Sequence, residues 1–340
     1  MLRLVFLLAL MALAVGPAPV AHADRGIEAR LDRIADATTA IRGFPARVVE
    51  VATSGDLMLQ GLYWPQRDGL PLIVFFPGWQ TNPENIVKHV EPAVRAGYGV
   101  LAAIPRGTAG NPGKAGEAGF HDDGQSYARL ARTLADGTPV VLFGYSIGAP
   151  VAIEVARREP VAGVVTLGLF TSMDEVRFPL AASFVPDPFD SRASIGEVTV
   201  PMVLFYGGDD GIVPLAQGRE LFRLARAPRA LVAVEGGGHF MRARNVLPLF
   251  AAAVDAILAD DLGQLRRLSN SNVQVTIAGA AAAAGVRLRG EGRSLLDRVE
   301  LAVSDLLAHC RERDVALDRV IGWLVHLLQD AHLSACQCGC

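Results

Sequence analysis

Between residues 47 and 258 the chain alternates short apolar runs with longer amphipathic stretches, the rhythm of parallel strands joined by covering helices. Runs at 47–51 and 58–64 flank the turn signal Ser54-Gly55-Asp56 and read as an opening antiparallel pair. Further runs at 72–76, 99–104, 140–143, 161–167, 201–206 and 230–234 are nearly continuous in apolar residues, as strands buried on both faces require. Between them, helical spacing predicts helices at 83–96, 124–135, 147–157, 216–225 and 245–258, with Pro83 suited to a first helical turn. The pattern implies an α/β domain with a mostly parallel central sheet flanked by helices.

Two regions break the rhythm. Residues 170–198 contain Pro179, Pro186 and Pro188 and little periodicity. A stretch this long and irregular inside a compact domain is expected to be a lid-like insertion. After Asp261 the composition changes, and Leu-Ser-Asn-Ser-Asn at 268–272 reads as a linker. A short strand at 273–277, an alanine-rich stretch at 280–284 and two amphipathic helices at 294–311 and 316–333 are expected beyond it. The expected division is therefore a main domain over 24–261 and a small, mainly helical C-terminal extension over 262–340, ending in Cys-x-Cys-x-Cys.

Arg3, the apolar stretch 4–15, Gly16-Pro17 and then Ala21-His22-Ala23 form the pattern of a signal peptide over 1–23, with the mature chain starting at Asp24. This predicts an exported protein, periplasmic or extracellular. No later segment is long and apolar enough to span a bilayer, so no stable membrane span is expected in the mature chain.

Of the 340 residues, 51% are hydrophobic and 20% charged, which supports a large core and excludes global disorder. The net charge of −3, without a basic cluster interleaved with aromatics, argues against nucleic acid as a partner. The four cysteines are Cys310, Cys336, Cys338 and Cys340, so the main domain must fold without disulfides. In an oxidising compartment Cys310 is expected to bridge to one of the terminal three.

The candidate chemistry lies at strand ends. Gly144-Tyr145-Ser146-Ile147-Gly148 sits between an apolar strand and a predicted helix, where a tight turn lifts a serine hydroxyl to the carboxyl edge of the sheet. Serine needs a base to be nucleophilic near neutral pH. His239 follows the run 230–234 through Glu235-Gly236-Gly237-Gly238 and emerges at that same edge, whereas His89 falls inside a predicted helix. His121, expected in a loop, is a weaker candidate. The carboxylate that orients the base is offered by Asp209 or Asp210 after the run 201–206. The chain order is then Ser, Asp, His.

On these residues the segment from about 47 to 258 resembles the α/β-hydrolase superfamily, especially its short-lidded esterase and dienelactone-hydrolase-like branches. Gly207, Asp210, Val213 and Pro214 fit the Gly-x-x-Asp-x-x-Val-Pro pattern of those branches, which favours Asp210 over Asp209. The resemblance implies an α/β-hydrolase fold and an oxyanion hole built from the N–H of Ile147 and one from the loop after the third strand. There Pro77-Gly78 replaces the usual His-Gly, which moves the second donor to Trp79. The Trp79 indole is left to line an acyl pocket or to pack on the surface. Arg106 is expected in a structural ion pair ahead of a contact to an anionic substrate.

The implied activity is hydrolysis of a carboxylic ester or thioester through an acyl-enzyme, on a small-molecule acyl substrate, with no cofactor and no metal. Two other readings fit the residues: a serine peptidase of the same fold, and a non-catalytic binding protein whose Cys-rich tail binds metal or exchanges disulfides.

Overall fold

A computed structural model describes residues 41–67, 69–79, 82–177, 187–241 and 243–279. The expected signal peptide, the alanine-rich stretch, the two tail helices and all four cysteines lie outside those residues.

The chain opens with the antiparallel pair β1 (Arg47–Thr53) and β2 (Leu57–Trp64), as the turn signal between them predicts. Six βα units follow in alternation. Strand β3 (Leu72–Phe76) leads to helix α1 (Pro83–Ala96), and β4 (Gly99–Ala102) to α2 (Glu117–Leu134). Strand β5 (Val140–Tyr145) leads to α3 (Gly148–Arg158), and β6 (Gly163–Leu167) to the short α4 (Ser191–Ile195). Then come β7 (Met202–Gly207), α5 (Leu215–Leu224), β8 (Arg229–Val234), α6 (Ala243–Leu258) and a final strand β9 (Val273–Ala278).

The nine strands form one sheet in the order β1-β2-β4-β3-β5-β6-β7-β8-β9. Strands β4, β3, β5, β6, β7 and β8 run parallel, while β1, β2 and β9 complete the edges antiparallel. The order reverses at β3, since β4 lies on one side of it and β5 on the other. Crevices at such switch points, beyond the carboxyl ends of the strands, are where open α/β sheets place ligands.

Alternation within each buried strand builds two cores. Leu72, Val74 and Phe76 of β3 and Leu142 of β5 pack with residues of α2, α3 and α5 on one face. Ile73 and Phe75, with Val141 and Phe143, pack beneath α1 and α6 on the other. Each such side chain removed from water contributes about 1.5–3 kcal/mol, so the sheet is clamped between both helical layers.

Three expectations are revised. Helix α2 begins at Glu117, not 124, because its first turn is capped from far away: the Glu117 N–H donates to the Asp187 carboxylate at 2.7 Å, and Phe189 N–H donates back to Glu117 Oε2 at 3.0 Å. His121 is consequently a helix residue and not a loop residue. The sheet also reaches past Asp261, since β9 pairs with β8 along its whole length, from Arg229 opposite Ala278 to Val234 opposite Val273. The described flanks of the irregular stretch 170–198 are anchored, with Phe170, Met173, Phe189, Ile195 and Val198 buried in the core. Its centre, 178–186, lies outside the described residues.

The His121 ring meets the Phe189 ring edge-on at 5.8 Å, and burial lowers its pKa despite nearby Glu154 and Asp122. A histidine held neutral by the fold binds fewer protons than its unfolded counterpart, so stability is lost as pH falls from the ordinary histidine range through the lowered value. Between pH 7 and pH 5 the wild type is therefore expected to lose more stability than His121→Gln, read as the shift in urea midpoint for each protein. Equal shifts would contradict the assignment.

Candidate active site

Strand β5 runs directly into Ser146, whose backbone takes φ 52°, in the left-handed region. For a residue with a Cβ this conformation costs about 1–2 kcal/mol. What enforces it is the closeness of the chain on either side. A Cβ on Gly144 would lie 2.5 Å from the Gly148 oxygen, and one on Gly148 would lie 2.1 Å from the Phe76 oxygen. Only glycine fits at both positions, and the half-buried Ser146 is thrust out between them at the start of α3.

His239 stands on the loop after β8 and Asp210 on the loop after β7; both are buried, each 6% exposed. The Nδ1 of His239 lies 2.9 Å from Asp210 Oδ2, and its Nε2 lies 3.0 Å from Ser146 Oγ. With Nδ1–H donating to the Asp210 carboxylate, Nε2 presents its lone pair to the serine hydroxyl. The other carboxylate oxygen of Asp210 accepts from the N–H groups of Ile212 at 2.9 Å and Val213 at 2.8 Å. Those two bonds set Asp210 apart from its neighbour Asp209, which is half-buried.

The loops carrying Asp210 and His239 are joined to each other. Asp209 N–H donates to Gly237 O at 3.0 Å and Gly208 N–H to Val234 O at 2.7 Å. A Cβ at Gly207 would come within 2.1 Å of the Gly237 oxygen, so this junction too requires glycine.

The two residues expected to supply oxyanion donors flank the serine. Ile147 is buried at the N-cap of α3, where the first N–H groups of a helix have no acceptor within it. The loop carrying Trp79 passes close beside Ser146, since a Cβ on Gly78 would lie 3.5 Å from that of the serine. The Trp79 side chain packs half-buried against the α2–α3 core.

One contributor is absent from the sequence reading. Tyr145 donates its hydroxyl to the backbone oxygen of His239 at 3.1 Å, and its ring lies 5.7 Å from the imidazole and 4.8 Å from that of His89. The signal was available: an aromatic directly before the nucleophile, on the last residue of a strand, must sit at the same sheet edge.

The remaining candidates lie elsewhere. His89 is on α1, with Nδ1 2.7 Å from Asn85 O, and His121 faces α3 and Phe189. Arg106 is committed to Asp123, with Nη2 at 2.7 Å and Nε at 3.0 Å from Oδ1, while its backbone N–H donates to Oδ2 at 2.9 Å. It forms the expected structural ion pair.

Comparison with known proteins places this arrangement. The model of the alpha/beta hydrolase family matches residues 73–195, from β3 through the nucleophile turn to α4. The uncharacterized protein Rv2307c of Mycobacterium tuberculosis is 32% identical over 206 residues, covering 57% of this chain and 72% of its own. The chain belongs to the α/β-hydrolase family. Among solved structures, this hydrolase shares its fold with 2,6-dihydroxy-pseudo-oxynicotine hydrolase at a TM-score of 0.58 and 17% identity, covering 72% of this chain and 77% of that one. It likewise shares the fold with an esterase of Pyrococcus furiosus at a TM-score of 0.53 and 17% identity, covering 66% and 92% of the two chains. Among the described residues of this hydrolase, no helix is long and apolar enough to cross a membrane.

The backbone strain at Ser146 is directly measurable. Ser146→Gly and Ser146→Ala both remove the hydroxyl, but only glycine relieves a positive φ. The glycine variant is expected to be the more stable of the two by about 1 kcal/mol in urea unfolding. Equal stability would mean the turn is not strained.

Proposed function

We propose that this hydrolase cleaves carboxylic esters or thioesters through a covalent acyl-enzyme on Ser146. The observation that carries the reading is the continuous relay Asp210–His239–Ser146, with both hydrogen bonds at 2.9–3.0 Å. His239 Nε2 takes the hydroxyl proton as Ser146 Oγ attacks the substrate carbonyl. Charge develops on the carbonyl oxygen, where the N–H groups of Ile147 and Trp79 act as donors. The protonated imidazole then gives its proton to the departing alcohol or thiol, leaving the acyl group on Oγ. In the second half water attacks that ester, His239 accepts the water proton and returns it to Oγ, and the carboxylic acid departs.

Asp210 acts by holding Nδ1–H in place and by stabilising the imidazolium formed twice per turnover. The Ile212 and Val213 N–H groups hold the carboxylate fixed in direction. Ester and thioester substrates are preferred to peptides here because the esterase-like branches resembled in sequence act on the better leaving groups. We propose in addition that residues 1–23 direct export and are removed before Asp24. Mass spectrometry of the N-terminus of protein recovered from the periplasm or medium tests that, and an intact Met1 there would refute it.

A fluorophosphonate probe is expected to label the folded wild type on Ser146 and to leave Ser146→Ala unlabelled. Labelling that persists in the variant, or none in the wild type, contradicts the mechanism. Asp210→Asn should lower kcat toward an activated aryl ester by about ten-thousand-fold, because the amide stabilises the wrong imidazole tautomer. Asp209→Asn should cost less than about tenfold, lacking that contact. Comparable losses in both would overturn the choice of Asp210.

A further inference from the structure

We propose that the acyl chain of the substrate enters the apolar pocket beneath the Pro77-Gly78-Trp79 loop, and that its floor limits this hydrolase to short, uncharged acyl groups. The inference rests on the acyl-enzyme reading above and adds the substrate class. Trp79, Thr108, Phe120, Tyr127, Ile147 and Val151 line this pocket. Two of them, Trp79 and Ile147, carry the proposed oxyanion donors, so the pocket begins where the carbonyl oxygen would be held.

Direction follows from the order of the sheet. The pocket lies on the β3–β4 side of β5, among residues of the loops after those strands and of α2 and α3. His239 arrives from β8, three strands away on the opposite side. The imidazole must reach the leaving oxygen to protonate it, so the leaving group lies toward β8 and the other substituent of the carbonyl carbon points toward the pocket.

Size and polarity set the class. The cavity is small and its lining is almost entirely apolar, so only a short chain can be enclosed in it. Its floor does not give way readily: Tyr127 is fully buried, its hydroxyl 2.9 Å from the Ile104 oxygen and 3.0 Å from that of Gln60. The one charged group in the lining, Asp123, is already saturated by Arg106 and by the Thr53 hydroxyl at 2.9 Å. Among the described lining residues no charge is left to pair with a charged acyl tail.

The test uses the purified full chain and two ester series. In p-nitrophenyl esters from acetyl to octanoyl, kcat/KM is expected to rise about fourfold per added methylene until the chain meets the floor, near butanoyl. It should then fall by tenfold or more at octanoyl. In acetate esters of alcohols graded in length, the dependence should be weak. Thr108→Leu, at a half-buried loop position, should lower the butanoyl-to-acetyl ratio by about tenfold. Val151→Ala should raise the octanoyl-to-butanoyl ratio by a similar factor. An octanoyl optimum in the wild type, a chain-length cutoff on the alcohol side, or unmoved ratios in variants that still label with fluorophosphonate would each overturn the pocket assignment. Absence of labelling in the wild type would instead overturn the acyl-enzyme reading beneath it.

Discussion

The site depends on one backbone constraint, the left-handed turn that β5 makes at Ser146 on entering α3. The strain is sustained because relaxing it would need room that Gly144 and Gly148 have already given up to the neighbouring chain. The tightly packed sheet beneath, buried on both faces, absorbs the cost. A hydroxyl held this way can meet an imidazole from β8 without the two loops having to search for each other. Local strain at a functional residue, compensated by global packing, is what keeps the relay assembled in the free protein.

The carboxylate and the imidazole form a unit of their own. Adjacent strands β7 and β8 deliver them, and the hydrogen bonds from Gly208 and Asp209 to the segment preceding His239 tie the two loops edge to edge. Tyr145 then links that unit to the nucleophile strand by holding the His239 backbone oxygen. Three strand ends are thereby fixed relative to one another by contacts other than those among Ser146, His239 and Asp210, so loss of one of those side chains need not loosen the frame.

How much of this was legible before the structure varied with how local the cause was. The strands, the hairpin, and the serine, histidine and aspartate positions could be read because each is announced within a few residues, by an apolar run or by glycines at a strand exit. Asp210 could be preferred to Asp209 from spacing, but the physical difference lies in the N–H groups of Ile212 and Val213 that converge on one carboxylate oxygen. The start of α2 was missed because its cap, Asp187, is 70 residues away, and no window on the sequence contains both partners. The strand at 273–278 was legible as a strand but not as part of the sheet, since pairing with β8 is decided by an open edge that exists only once the fold is formed. Arg106 shows the same limit: its type and place permit either a substrate contact or a buried pair, and the position of Asp123 on α2 decides.

The joined loops after β7 and β8 also bear on how the fold tolerates change. The connection between β6 and β7 is tied in at several points, by the buried Phe170, Met173, Phe189, Ile195 and Val198, by the bond from Arg177 N–H to Ile212 O and by the Asp187 contact to α2. Diversification of such a scaffold has to spare those anchors, so that Asp210 and His239 stay in register while the rest of the crossover alters what is allowed to approach them.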